Sequence, residues 1–321
     1  MKKTTQRLVN PFEYSDTNKR YYTFEYFCRK KYGGRCVKIP LDAGFTCPNI
    51  DGTCGHGGCI YCSPRGSGDS IPKNLSVREQ YDAGRAAMSL KWDVSRCIPY
   101  FQAHTNTYAP TYVLSRLFNE ALTYDSAIGL DIATRADCLP PDVCALLAEI
   151  AEKTDLTVEL GLQSSNDDTA RLIGRGHDFA AFRDGYARLR AASDKISVCV
   201  HIILGLPGED DEMMMQTVRD TAELHPEFVK LHLLHVLRDT ALSCMYRDGR
   251  YTPLTEEHYV SLVVSALELL PPDTVIARLT GDGMANSLEA PLWSTRKIAV
   301  INDIDKLMYA RNTFQGRLWR G

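Results

Sequence analysis

Six short apolar runs rich in β-branched residues recur along the chain, at 37–42, 98–104, 127–133, 156–162, 197–204 and 228–236. Amphipathic stretches near 76–91, 109–122, 139–152, 178–192 and 211–224 fill the gaps between them. Each run has strand length and each gap has room for a helix. Parallel strands need a long crossover, so this rhythm predicts βα units in which helices cover a parallel sheet. Six units predict an α/β fold of the incomplete (β/α)6 barrel type, with an open doubly wound sheet as the rival. Local signals agree. Leu139-Pro140-Pro141-Asp142 places prolines where a helix begins, and Glu209-Asp210-Asp211-Glu212 forms an acidic first turn that suits the helix dipole. Further on, 254–270 reads as a helix, 275–279 as a short strand and 298–311 as a last helix packed on the main body.

Composition excludes several classes. With 44% apolar residues in 321, the chain can bury a core and is not disordered throughout. No fixed period marks a repeat protein, and no run reaches the ~18 apolar residues of a membrane span. The start, Met1-Lys2-Lys3, leads into no apolar signal segment, so the expected location is cytoplasmic. The net charge of −3 is unevenly spread: residues 1–38 carry ten Lys/Arg against three acids. The aromatics Tyr14, Tyr21, Tyr22, Phe24, Tyr26, Phe27 and Tyr32 stand among them. Such a segment can hold a phosphate backbone and stack bases, or it can be a solvated basic face over a docked aromatic stripe.

Cysteine use is the strongest chemical signal. Four of the eleven cysteines, Cys47, Cys54, Cys59 and Cys62, fall within sixteen residues of a glycine-rich loop too poor in apolar groups to make its own core. Thiolates converging on iron or zinc would order it. Cys59 and Cys62 are spaced to address one ion or one cluster corner, with partners from Cys47, Cys54 and His56. Zinc would take a closed tetrahedron of four ligands; an iron–sulfur cluster takes one ligand per iron. The loop follows the first strand, at the strand end where barrel active sites form, and this favours a catalytic cluster.

Beside the spacing Cys47-x11-Cys59-x2-Cys62 stand 100–108 (YFQAHTNTY), 134–137 (TRAD), 159–164 (ELGLQS), 174–177 (GRGH), 204–209 (LGLPGE) and 278–283 (RLTGDG). On these motifs, which run from about 20 to 310, the chain resembles radical S-adenosylmethionine (SAM) enzymes. More narrowly, it is similar to the bacterial branch grouped with Elp3-like and oxygen-independent coproporphyrinogen-oxidase-like proteins, in which the first cysteine gap is wide.

The resemblance implies a partial (β/α)6 radical SAM barrel over 37–240, a basic aromatic N-terminal extension at 1–36 and a C-terminal extension at 241–321. It implies a [4Fe-4S] cluster on Cys47, Cys59 and Cys62, with the fourth iron open to SAM and Cys54 a bystander. One-electron reduction, by a donor such as flavodoxin or ferredoxin, would cleave SAM to a 5′-deoxyadenosyl radical that abstracts hydrogen from substrate. Tyr61 would lie against adenine. Thr105 and Asn106 would address the methionine amino group, and Glu159 and Gln163 the ribose hydroxyls or that amine. Arg175 would pair with the SAM carboxylate, and Gly205 and Gly208 would let backbone approach adenine.

Candidates for the substrate side are Arg135, His201, His232 and His235 near strand ends, and the polar set Arg278, Thr280 and Asp282. His232 and His235, three apart, face opposite ways on a strict strand and make poor joint metal ligands. The N-terminal segment and 278–297 are the available lids for the barrel mouth. RNA is one substrate class, suggested by the basic aromatic segment and the Elp3-like resemblance; a small metabolite is the other. A zinc-containing nucleic-acid-binding protein without catalysis is the reading from a different class. No dense second motif supports a further cluster on Cys28 and Cys36.

Overall fold

The computed structural model describes residues 10–281 and 286–321. In chain order the elements are α1 (Phe24–Tyr32), β1 (Val37–Leu41), α2 (Val77–Ser89), β2 (Cys97–Phe101), α3 (Thr111–Ala121), β3 (Gly129–Thr134), α4 (Pro141–Ala151), β4 (Asp155–Gln163), α5 (Asp167–Leu172), α6 (Phe179–Ala192) and β5 (Ile196–Leu204). There follow α7 (Asp211–Leu224), β6 (Phe228–Leu233), β7 (Val236–Leu237), α8 (Ala241–Arg247), α9 (Glu256–Leu269), β8 (Val275–Arg278), β9 (Leu288–Ala290) and α10 (Lys297–Ala310). Seven strands form one parallel sheet in the order β1-β2-β3-β4-β5-β6-β8, and β7 and β9 make a small antiparallel ribbon. The strand order never reverses, so there is no doubly wound switch point and the sheet curls into a half-barrel. The short strand expected at 275–279 is β8, hydrogen-bonded to β6 in the main sheet.

Period-two alternation explains which face is which. Ile39, Leu130, Ile132, Val158, Leu160, Val198, Val200, Val229 and Leu231 join the main core beneath the helices. Each such side chain contributes about 1.5–3 kcal/mol on burial. The intervening positions, Lys38, Asp131, Glu159, His201 and Lys230, line the other, concave face. Helix starts follow from their caps: Ser76 and Glu79 form a capping box on α2, and Asp178 and Asp210 cap α6 and α7.

One packing contact is tight enough to test. A Cβ at Gly185 of α6 would stand 2.1 Å from the Ala136 carbonyl oxygen, which is backbone and cannot swing away. Gly185→Ala is expected to lower unfolding stability by about 2 kcal/mol, read from a urea midpoint with unchanged slope.

The N-terminal segment packs at the starts of the strands. Lys31 reaches Asp155 at the first residue of β4, Arg96 donates to the Tyr32 carbonyl, and Thr23 bridges to Ile276 of β8. Phe24 and Phe27 set their rings against Phe228, the first residue of β6. The expectation that this segment covers the barrel mouth is therefore corrected: residues 10–36 close the opposite end. Its cations are largely paired within the chain (Arg29 with Asp16, Arg35 with Glu25), and Tyr14 stacks on Tyr22 at 4.8 Å between centroids. The docked aromatic stripe describes it better than a base-stacking platform. No helix of the described residues is long and apolar enough to cross a membrane.

Candidate functional site

The wide cysteine gap is folded shut at a neck. The Gly58 N–H donates to the Asn49 carbonyl at 2.9 Å, and the N–H groups of Cys54 and Gly55 donate to the Pro48 carbonyl at 2.8 and 3.3 Å. Residues 50–57 thereby leave the main path as a lobe, bridged within itself at Asp51 and His56. Across the neck only Pro48, Asn49 and Gly58 separate Cys47 from Cys59. Gly58, at φ +80°, takes a left-handed conformation that glycine tolerates without strain. Cys54 rides on the lobe, exposed, while Cys59 is buried. A tight turn brings the Cys62 N–H to the Cys59 carbonyl at 3.0 Å. Between them Ile60 is hydrogen-bonded on both sides, to the Ile173 carbonyl and from the Leu242 N–H. Ile60 and Tyr61 pack against Ile173, Leu206, Val236, Leu242, Tyr251 and Ala290. The β7–β9 ribbon, whose strand β9 belongs to the 278–297 stretch expected as a lid, thus stands beside the cysteine turn.

Two buried guanidinium groups face the thiols. Arg135 Nη1 lies 4.0 Å from Cys47 Sγ and donates to the Arg175 carbonyl at 2.8 Å, while Asp137 holds its other nitrogens at 2.9 and 2.7 Å. Arg175 donates through Nη2 to the Gly161 carbonyl at 2.5 Å, and its buried Nε has no partner. Gln163 follows a bulge at the end of β4 and has φ +71°. Its side chain folds back so closely that a Cβ at Gly161 would meet Gln163 Nε2 at 2.6 Å and Arg175 Nη2 at 3.1 Å. The Cys59 thiol is pushed down to about 5, first by the hydrogen bond from Cys62, then, against its burial, by Arg175, Asn49 and Arg135. Cys62, the donor in that pair, is pushed up.

The neighbouring loops are tied to this arrangement. The Thr105 N–H donates to the Thr46 carbonyl at 3.4 Å. Asn106 is fully buried; its Nδ2 spans the carbonyls of Phe101 and Ala133 at 3.0 and 2.9 Å, leaving Oδ1 without a partner. Gly205 and Gly208, at φ +87° and +84°, shape the turn after β5, and the Gly205 carbonyl accepts from Tyr251 Oη at 2.8 Å.

Deeper in the barrel lies an ionic layer. Glu159 accepts from Lys38 at 2.8 Å on one oxygen, and on the other from Lys230 and Tyr100 at 2.5 Å and His201 at 2.9 Å. Lys38 also pairs with Asp131. Burial works against the Glu159 charge, but Lys230 and Lys38 outweigh it and hold the carboxyl well below its usual value. Burial, aided by Lys230, pushes His201 down to about 4, and burial with His201 and Arg278 lowers His232. The two imidazoles stand 5.3 Å apart between centroids, and His232 Nε2 has no partner.

The structure therefore separates residues that the sequence grouped. Glu159 belongs to the ionic layer and Gln163 to the Arg175 side, because the bulge breaks their common register. Arg135 stands beside Cys47 instead of among the histidines. His235 is in the loop before β7, against Gly281. Thr280 is buried, Arg278 of β8 pairs in register with Lys230, and Asp282 lies outside the described residues. Sequence reading missed Asn49, Lys38, Asp131 and Lys230. The available signal was one charge inside each apolar run: Val37-Lys38-Ile39, Leu130-Asp131-Ile132, Val229-Lys230-Leu231.

Among the described residues, one group of three metal-ligating side chains, Glu159, Cys199 and His201, has its ligand atoms within 4.8 Å of one another. Two lysine ammonium groups already occupy both Glu159 oxygens, so a divalent cation there would have to displace them. Cys47, Cys54, Cys59 and Cys62 form no such group, whereas tetrahedral zinc would want sulfurs about 3.8 Å apart. The amide donor at Cys59 and the two guanidinium groups beside the thiols give the cysteine loop a setting that suits an anionic group.

Residues 50–221 match the family described as the radical SAM superfamily, and 226–310 match the radical SAM C-terminal domain. Over 312 residues, 97% of this chain and 96% of its relative, the sequence is 44% identical to the Bacillus subtilis (strain 168) protein YtqA. Over 171 residues, 51% of this chain and 36% of the relative, it is 32% identical to a tRNA uridine(34) acetyltransferase of Dehalococcoides mccartyi. The fold is shared with archaeal Elp3 of Methanocaldococcus infernus, at a TM-score of 0.63 and 16% identity, covering 87% of this chain and 64% of that one. A half-barrel with a cysteine-rich loop at the strand ends, in a chain matched by that family over more than half its length, makes this protein a member of the radical SAM superfamily.

Proposed function

We propose that the chain is an enzyme that holds a [4Fe-4S] cluster through Cys47, Cys59 and Cys62 and binds SAM beside it. When bound, that pair supplies one-electron reductive cleavage of the sulfonium to methionine and a 5′-deoxyadenosyl radical for hydrogen abstraction. The neck at Asn49 and Gly58 carries the reading, because it returns a wide cysteine gap to three intervening residues. The unpartnered Arg175 Nε suits the SAM carboxylate, and the unpartnered Asn106 Oδ1 suits an ammonium donor. Thr105 ties the Asn106 loop to the cysteine loop, and Gln163 sits against Arg175. Tyr61 offers an apolar face toward adenine, and the turn shaped by Gly205 and Gly208, both at positive φ, would bring backbone to it. Flavodoxin or ferredoxin is the class of electron donor.

Anaerobic protein loaded with iron and sulfide, reduced with dithionite and given SAM, is expected to be brown and to form 5′-deoxyadenosine. A colourless protein with one zinc and no SAM cleavage would overturn this proposal and leave the zinc-containing reading, which binding to RNA would then have to bear out. For the substrate, the tRNA uridine(34) acetyltransferase relative favours RNA; the cations at the barrel floor no longer add to that case. The small-metabolite reading draws on the buried ionic layer, which suits a polar molecule held in the lumen. Nucleosides and small molecules from cells with and without the gene distinguish them: a missing modified nucleoside supports RNA, an accumulating metabolite the alternative.

A further inference from the structure

We infer that Asn49 is a positioning residue that raises the reduction potential of the cluster through an N–H···S hydrogen bond to Cys59, an inference that rests on Cys59 being a cluster ligand. Asn49 is 2% exposed, and its Nδ2 lies 3.4 Å from Cys59 Sγ, 2.6 Å from the Gly174 carbonyl and 2.9 Å from the Arg175 carbonyl. All three neighbours are acceptors, so the amide can only present its NH2 to them, with one of its two hydrogens shared between acceptors; the flipped orientation would set oxygen against oxygen and sulfur. The side chain has no freedom to turn away. Its own carbonyl closes the neck to Gly58, and its Oδ1 lies against Gly176, where a Cβ would come within 2.1 Å. Gly176 has φ +80°, so both the conformation and the close approach demand glycine there.

The electrostatic consequence follows from the direction of that bond. A donor aimed at a ligand sulfur stabilises the more negative, reduced cluster more than the oxidised one, and so raises the potential. The neck and the amide are one device: the residue that restores the ligand spacing also sets the charge preference of the ligand it spaces.

The test is potentiometry monitored by electron paramagnetic resonance on the loaded protein without SAM, comparing wild type with Asn49→Leu and Asn49→Asp. Both replacements keep the shape and remove the N–H; aspartate also adds charge. Reduction of Asn49→Leu is expected to become about tenfold less favourable, a shift of about 59 mV to more negative potential for one electron, with Asn49→Asp lower still. Asn49→Leu with full iron content and the wild-type potential would overturn the inference. If that variant binds too little iron to measure, Asn49→Asp decides, and an unchanged potential has the same meaning. Failure of the wild type itself to hold iron would instead remove the reading of Cys59 as a ligand.

Discussion

Cys47→Ala, Cys59→Ala and Cys62→Ala are each expected to reduce 5′-deoxyadenosine formation to background, while Cys54→Ala keeps it at the wild-type level. The contrast follows from the neck. Cys59 and Cys62 share a turn clamped on both sides, and Cys47 stands beside Arg135 at the other arm. Cys54 sits exposed on the lobe that the neck sets aside. A stronger form of the experiment replaces residues 50–57 by Asn-Gly. With two residues between them, the Asn49 carbonyl and Gly58 N–H close an ordinary β-turn, so the neck bond can survive without the lobe. Iron and sulfide content should match wild type. Loss of cluster from this variant while Cys54→Ala retains it would show that the lobe, not the neck, organises the ligands.

Glu159→Leu is the substitution expected to cost the most stability. It removes the acceptor shared by Lys38, Lys230, Tyr100 and His201 and leaves a buried and a half-buried ammonium group, Lys230 and Lys38, with Asp131 as the remaining carboxylate. Breaking one side of a buried pair costs about 3–5 kcal/mol, a drop of roughly 10 °C in Tm for a chain of this size. Lys230→Met added to Glu159→Leu should recover part of that loss, since it removes one of the stranded charges. The pH dependence has a definite sign. Lys230 and Lys38 hold the folded carboxyl well below the ordinary value of 4.5, although burial opposes them. The unfolded chain therefore binds the proton more readily. The contribution is complete above about pH 4.5 and is lost as the pH falls through the folded value. Wild type should lose stability in acid more steeply than Glu159→Leu, as urea midpoints at several pH values would show.

Much of this protein was legible from one dimension. The strand runs match β1 to β6 within a few residues, and the stretch 211–224 coincides with α7. Period-two and period-3.6 patterns are local and survive in the bare sequence. So does the Cys59–Cys62 pair, whose two-residue spacing suffices for a turn. The short helices α5 and α8 and the aromatic-rich α1 left weaker marks.

Other features required distant segments to meet. The N-terminal stretch has the composition of a nucleic-acid contact or a lid, yet Phe24 and Phe27 find Phe228 at the strand starts, about two hundred residues away in sequence. Glu159 and Gln163 share parity along the chain, and a bulge sends one to the ionic layer and the other to Arg175. Residue identity and short-range spacing thus determined the parallel βα architecture and marked the cysteine-rich loop, because both are written in neighbouring side chains. Which end of the barrel is plugged and how the wide loop closes on Asn49 were decided only by contacts in the folded chain, and where Lys38, Asp131, Glu159 and Lys230 neutralise one another only by the curl of the sheet. Charges on separate strands have no partner until that curl brings them within hydrogen-bonding distance.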